Sequence, residues 1–118
     1  MESSHQVKLS AEQQELFAQQ SGITAELLEN VISSNADQLG YMLQAYYPGE
    51  KVSKVTLKAE SVKFEDSGAV KLQLEYVMEQ FNACSAIDTE QKDKMTITVN
   101  ADPEAGILNL VGETWPEL

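Results

Sequence analysis

The sequence contains no arginine, and its eight basic residues are lysines set against nineteen acidic residues, for a formal net charge of −11. Arginine is the side chain that most often reads guanine edges and clamps phosphates through two parallel hydrogen bonds. A strongly negative field also repels the phosphate backbone and anionic lipid surfaces. We therefore expect neither a nucleic acid nor a membrane as partner, whereas a basic protein is compatible with this charge.

Cysteine and long apolar runs are also scarce. Cys84 is the only cysteine, so no disulfide can form within the chain and nothing favours an oxidising compartment. Residues 1–10 are polar and lack the apolar centre of a signal peptide, and no apolar run is long enough to span a membrane. These absences predict a cytoplasmic protein.

Groups that usually carry catalysis or hold metals are few. His5 is the only histidine, and it lies in residues 1–9, which we expect to form a flexible tail. Cys84 has no histidine near it in the sequence, so we interpret it as a small buried apolar side chain. No Cys/His metal spacing, calcium-loop pattern or glycine-rich phosphate loop occurs. The sequence predicts no catalytic residue, no metal and no cofactor, and it favours a protein that is not an enzyme.

Residues 10–47 have the pattern of α-helices. Ser10 and Gln13 fit a capping box, in which each side chain satisfies a free backbone N–H of the other residue. Apolar residues then recur at helical spacing through 25–47, as one long helix or as two helices. The Ser-Ser-Asn sequence at 33–35 favours a break, because these side chains compete for backbone hydrogen bonds.

Four small or apolar residues in this region resemble the spacing of the helix-turn-helix motif of DNA-binding proteins: Ala18, Gly22, Leu28 and Val31. The helix that would enter the groove carries Glu26 and Glu29 and no cation, so it would repel phosphates. We interpret the motif as a tight corner between two helices.

In the second half of the chain, apolar and polar residues alternate with period two, which predicts antiparallel strands. The alternation slips near 60–61, which predicts a β-bulge. With a single bulge, the first hairpin pairs Leu57 with Tyr76 and sets Lys63 directly opposite Lys71. Like charges in direct opposition are unfavourable, so this lysine pair is the one poor match in the hairpin.

Two further turns complete the predicted sheet. Residues 88–93 are polar and are expected to form a turn. A four-residue turn at 102–105 then joins the third strand to the last strand, 107–113, and pairs Val99 with Leu108. The sheet is therefore expected to be a meander of four strands.

The predicted fold is α+β, with two or three N-terminal helices packed on one face of a strongly coiled four-stranded antiparallel meander, in a single domain spanning 10–118. This element order resembles that of the cystatin-like and NTF2-like classes, in which a curved sheet wraps around a helix. The resemblance rests on the order of elements alone.

The predicted interaction surface combines aromatic and acidic residues. Tyrosine and tryptophan are enriched among the residues that dominate binding energy in protein interfaces. Tyr47 and Trp115 are the aromatic candidates, and Glu26 and Glu29 are the acidic ones. Together they predict a binding or inhibitory module, of the immunity or chaperone kind, for a basic protein.

Two alternatives remain open. The protein could bind a small ligand, or act as a minimal enzyme, through a pocket between sheet and helices lined by Tyr46, Tyr76 and Met78. It could also be a structural homodimer, formed through a sheet face or an edge strand. The sequence ranks these two hypotheses below binding of a basic protein.

Overall fold

The computed structural model describes residues 2–19, 22–82 and 87–116, with the backbone alone described at 80–82 and 87–90. In this part of the chain, three helices pack against a strongly curled antiparallel sheet of six strands. The helices are α1 (Ala11–Gln19), α2 (Ala25–Ser34) and α3 (Ala36–Gln44). The strands are β1 (Ser4–Lys8), β2 (Lys51–Leu57), β3 (Lys63–Phe64), β4 (Val70–Asn82), β5 (Ile87–Asp102) and β6 (Ile107–Val111). The expected α+β class is confirmed, with two strands more than predicted.

The capping box at the start of α1 is present as the sequence predicts. The Gln13 backbone N–H donates to Ser10 Oγ at 3.2 Å, and the Ser10 N–H donates to Gln13 Oε1 at 2.9 Å. The Gln13 side chain is buried, and its Nε2 donates to Asn30 Oδ1 of α2 at 2.9 Å. The cap therefore also ties the first helix to the second.

The predicted break in 25–47 separates α2 from α3. Asn35 lies between them with a φ of −118° and a ψ of 21°, outside the helical region. Its Nδ2 donates to the Val31 carbonyl at 2.9 Å, which is the competing local hydrogen bond that the sequence suggests. The region therefore contains two helices.

The N-terminal segment is not a free tail. Residues 4–8 form β1, which pairs antiparallel with β6 from Ser4 opposite Val111 to Lys8 opposite Ile107. Val7 is only 2 % exposed, and burial of its apolar side chain favours this ordered conformation. The expectation of a flexible 1–9 segment was wrong because one buried residue in five is too weak a pattern to reveal a strand.

The expected turn at 88–93 is instead part of β5. Its backbone pairs with β4 without a register shift, for example at Asp93 opposite Tyr76. The side chains of 91–94 are all exposed, so the apolar alternation that identifies a strand is missing there. A 16-residue strand spans about 53 Å, close to the longest dimension of the molecule, 54 Å.

The sheet has the order β1-β6-β5-β4-β2, with β3 also beside β4. Lys63 lies opposite Lys71, as predicted. Leu57, however, pairs with Leu74 rather than with Tyr76. A further register shift lies earlier in β2, between Ser53 and Thr56. The connection between β2 and β3 therefore contains more extra residues than a single bulge.

The last hairpin also differs from the prediction by two residues. Val99 lies opposite Leu110, and the turn is formed by 103–106. A slip of two residues leaves every side chain on the same face of a strand, so the apolar pattern cannot detect it.

The core lies between α2, α3 and the concave face of the sheet. Its fully buried side chains include Leu27, Leu28, Ile32, Leu39, Leu43, Leu72, Leu74, Tyr76, Met95, Ile97, Leu108 and Leu110. None of the described helices is long and apolar enough to cross a membrane. Cys84 lies outside the described residues.

Candidate binding site

The end of α3 positions two consecutive tyrosines. Gln44, the last residue of the helix, donates from Nε2 to the carbonyls of Tyr47 and Glu50. Its Oε1 accepts a hydrogen bond from the Val52 backbone N–H at 2.9 Å, at the start of β2. One amide side chain therefore holds the connection that carries Tyr46 and Tyr47.

Four aromatic rings meet at this end of the molecule. The ring centroids of Tyr46 and Trp115 are 4.9 Å apart, those of Tyr47 and Trp115 are 5.3 Å apart, and those of Tyr47 and Tyr76 are 5.7 Å apart. The two contacts of Trp115 are edge-to-face, a favourable arrangement for aromatic pairs. We call these four residues the aromatic cluster; Tyr46 and Tyr76 are its buried members, and Tyr47 and Trp115 are half-buried.

The Tyr46 hydroxyl joins both chain ends to the helical layer. It accepts a hydrogen bond from the Ser3 backbone N–H at 2.8 Å and donates to the Glu113 carbonyl at 2.7 Å. Ser3 precedes β1 and Glu113 follows β6, and these two strands are paired with each other. Tyr46 thus has a structural role that fully occupies its hydroxyl.

The hydroxyls of Tyr76 and Tyr47 and the carboxylate of Asp93 form a chain of hydrogen bonds. The two phenolic oxygens are 2.5 Å apart, and Tyr47 Oη donates to Asp93 Oδ2 at 3.2 Å. A carboxylate only accepts, so the single proton of Tyr47 is directed to Asp93 and Tyr76 is the donor to Tyr47. The buried Tyr76 hydroxyl is therefore satisfied through Tyr47.

The pKa values of the three tyrosines are all raised. Burial raises the pKa of Tyr47 to about 12; the hydrogen bond from Tyr76 lowers it, and the charges of Asp93 and Glu113 raise it. Burial is also the main reason why the pKa values of Tyr76 and Tyr46 lie above the usual range. At neutral pH these phenols are therefore uncharged hydrogen-bonding groups.

Glu113 places a second carboxylate beside the rings. Its Oε2 accepts a hydrogen bond from the Thr96 backbone N–H at 2.8 Å, and its Oε1 accepts one from Trp115 Nε1 at 3.2 Å. Because β6 ends at Val111, the carboxylate satisfies a β5 backbone group beyond the end of the neighbouring strand.

Neither carboxylate at the cluster has a cationic partner in the described part of the chain. Among the described residues, Lys71 Nζ forms an ion pair with Glu65 Oε1 at 3.2 Å, and neither residue belongs to the aromatic cluster. Asp93 and Glu113 therefore add uncompensated negative charge next to the rings.

The predicted interaction residues lie in two places. Tyr47 and Trp115 are brought together in the aromatic cluster. Glu26 and Glu29 are exposed on α2 and share no hydrogen bond with that cluster among the described residues.

The predicted pocket residues are packed in the core. Tyr46, Tyr76 and Met78 are 5 %, 2 % and 6 % exposed. Tyr76, Val77 and Lys92 border a surface cavity of about 440 Å³. Tyr46 and Met78 do not line this cavity.

Asp93 and Glu113 were not among the predicted site residues. Asp93 falls within the turn predicted at 88–93, although it lies two residues before Met95 and so continues the alternation of β5 onto the concave face. That spacing is the signal that could have identified it. For Glu113, the position depends on where β6 ends, and no local pattern reveals this.

Neither a metal site in the described part of the chain nor a related protein indicates the function. Within 2–19, 22–82 and 87–116, no group of three or more His, Cys, Asp or Glu side chains is arranged to hold a metal ion. Comparisons with protein-family models, with curated proteins and with solved structures found no match.

Proposed function

We propose that this protein is a protein-binding module that takes up a basic protein partner through its helical layer and the adjoining aromatic cluster. Between Lys8 and Lys51 the chain carries six acidic residues and no basic residue, and this observation is the basis of the proposal. The stretch includes all three helices, so one whole layer of the fold lacks basic side chains.

The carboxylates of this layer face solvent. We define the acidic layer as the exposed acidic residues of α1, α2 and α3: Glu12, Glu15, Glu26, Glu29 and Asp37. None of the three helices has a basic residue in its last turn, where the backbone dipoles leave partial negative charge. The negative potential of the layer is therefore not compensated within the layer, and it favours a positively charged surface.

The aromatic cluster offers an anchor at the C-terminal end of α3. The faces of tyrosine and tryptophan rings carry partial negative charge and attract ammonium and guanidinium groups. Tyr47 and Trp115 are half-buried on a supported base of core residues, with Asp93 and Glu113 beside them. A lysine or arginine side chain of the partner suits this combination of rings and carboxylates.

The two alternatives have less support. Tyr46, Tyr76 and Met78 fill the core, which disfavours a pocket formed by these residues. The edge strand β2 carries Lys51 and Lys54 and a register shift, features that hinder pairing with the edge of a second copy.

The experiment is an affinity capture from lysate at low and at high salt, with three versions of the protein as bait. The wild type is compared with Glu26→Gln/Glu29→Gln and with Glu75→Gln/Glu79→Gln, a control that removes two carboxylates from strand β4 of the sheet. We expect a basic protein to be captured at low salt by the wild type and the control, and much less by the α2 variant. High salt should release it, because exposed charges are screened.

Equal capture by both double variants, or capture that high salt does not reduce, would contradict the proposal. Retention of fold in each bait is checked by circular dichroism, so a loss of binding is not confused with unfolding.

A further inference from the structure

We infer that the outer face of the sheet carries a binding site for a small molecule that bears a phosphate group. The site is a cavity of about 310 Å³ bordered by three lysines, Lys58, Lys63 and Lys71, together with Ser61, Gln73 and Thr96. We call it the lysine cavity. It is independent of the acidic layer and of the proposed protein partner.

The lysine cavity is built on a tightly held connection between β2 and β3. Ser61 Oγ donates to the Lys58 carbonyl at 2.7 Å and accepts a hydrogen bond from the Gln73 backbone N–H at 3.1 Å. The Lys58 N–H donates to the Gln73 carbonyl at 2.9 Å. Both backbone groups of Gln73 are thus bound to the connection, which holds Lys58 at one end and Lys63 at the other.

The connection includes a backbone conformation that most side chains avoid. Glu60 has a φ of 62°, in the left-handed region, where a residue other than glycine is under strain. Such strain persists where the surroundings enforce it and is concentrated at binding sites. The strained residue lies between Lys58 and Lys63 in the chain, and both lysines border the same cavity.

The lysines are arranged unfavourably in the absence of an anion. Lys63 and Lys71 are direct cross-strand partners, a placement of like charges that destabilises a sheet. Lys71 is paired with Glu65, but Lys58 and Lys63 have no carboxylate within ion-pair distance among the described residues. Three of the eight lysines of a chain with net charge −11 therefore border one cavity, and a bound anion would relieve their repulsion.

The cavity suits a small phosphate compound rather than a polymer. A phosphate group has close to two negative charges and several strong acceptor oxygens, which match several ammonium groups. Lysine binds phosphate as a point charge, without the planar geometry of arginine. The volume is at the lower limit for small-molecule sites, and the net charge of the protein repels a polyanion.

Two carboxylates oppose binding at the lysine cavity. Glu60 is part of its lining, and Glu65 occupies Lys71. Two opposite effects on phosphate affinity are therefore expected. Removing a lysine should lower the affinity, and removing the charge of Glu65 should raise it.

The test is a nuclear magnetic resonance titration of backbone amides with inorganic phosphate, at constant ionic strength kept with sodium chloride. We expect saturating shifts at 58–63, Lys71 and Gln73. Lys63→Gln should weaken binding by about two- to fivefold, as expected for one exposed charge pair, and Glu65→Gln should strengthen it by about twofold. Lys8→Gln removes the same charge from β1, outside the cavity, and should leave the affinity unchanged.

The proposal is overturned if the shifts do not saturate, or if Lys8→Gln weakens binding as much as Lys63→Gln does. Glycerol phosphate is titrated in parallel. Binding of both compounds supports a site for phosphate monoesters, whereas binding of inorganic phosphate alone overturns the small-molecule assignment. The amide spectrum of each variant reports directly whether it is folded.

Discussion

Tyr46 lies so close to Gly112 that no side chain fits at residue 112. A Cβ there would collide with Tyr46 Oη and lie 3.1 Å from its Cζ. Gly112 does not have a positive φ, so it is the space, and not the backbone conformation, that requires glycine. This contact joins Tyr46, two residues after the end of α3, to Gly112, the residue that follows β6.

Gly112→Ala is therefore expected to destabilise the fold, by about 1–3 kcal/mol, the usual effect of overpacking. Gly40→Ala is the matched control, since a Cβ at 40 would be 3.7 Å from the nearest atom, the Val52 carbonyl oxygen. Gly40 lies inside α3, where alanine is favoured over glycine by about 0.5–1 kcal/mol. Urea unfolding should show opposite signs for the two variants, and a neutral Gly112→Ala would contradict the close contact.

Tyr46→Phe should also lower the free energy of unfolding. It leaves the Ser3 N–H and the Glu113 carbonyl without their partner, at a cost of about 1–3 kcal/mol for groups removed from water. The same change removes the oxygen that collides with a Cβ at residue 112. We therefore expect the double variant Tyr46→Phe/Gly112→Ala to be less destabilised than the sum of the single variants; strict additivity would show that the two residues are not coupled.

Tyr47→Phe tests the hydrogen-bond chain from Tyr76 to Asp93. The ring contacts with Tyr76 and Trp115 remain, but the Tyr76 hydroxyl loses its acceptor. We expect a loss of about 1–2 kcal/mol in stability, because a buried donor is left unpaired. Phe64→Leu, at an exposed position on β3, is a control that should change stability little. If Tyr47→Phe is equally neutral, the chain does not contribute.

High pH should unfold the protein through the three tyrosines of the aromatic cluster. The pKa of Tyr47 is raised from 10.0 to about 12, and those of Tyr46 and Tyr76 are raised as well. The unfolded chain releases these protons near pH 10 while the folded chain retains them, so stability is fully present below pH 10 and falls as pH rises towards about 12.

The measurement is the urea midpoint at a series of alkaline pH values, with tyrosinate absorbance recorded in parallel. Tyr46, Tyr47 and Tyr76 should ionise late and together with unfolding. Ionisation of these three residues near pH 10 in the folded protein would contradict the burial of this cluster.

Local features of the fold could be predicted because their causes are local. The capping box joins Ser10 to Gln13 within one turn, and the break at Asn35 depends on a bond to Val31. Where apolar and polar residues alternate clearly, the inward face of a strand was also predictable, because alternation depends only on period two. The register of β3 beside β4 was predicted correctly, but the register at Val99 was not, since a slip of two residues preserves the alternation.

The candidate site depends on contacts that are distant in sequence. Tyr47 and Trp115 could be selected as aromatic contact residues, but not as neighbours of each other. Asp93 reaches Tyr47 only because β5 continues beside β4 past the end of the apolar pattern, and Glu113 reaches Thr96 only because β6 ends at Val111.

By itself, the sequence determined the charge of this protein, the lysine-free stretch of the helices, the capping box of α1 and the inward face of the strands that have a clear apolar alternation. These follow from composition and from interactions within a few residues. The tertiary structure decided that residues 4–8 form an edge strand, that four aromatic rings meet beside two carboxylates, and that three lysines border one cavity. Such groupings depend on strand register and on chain closure over long separations, and no periodic pattern in the sequence encodes either.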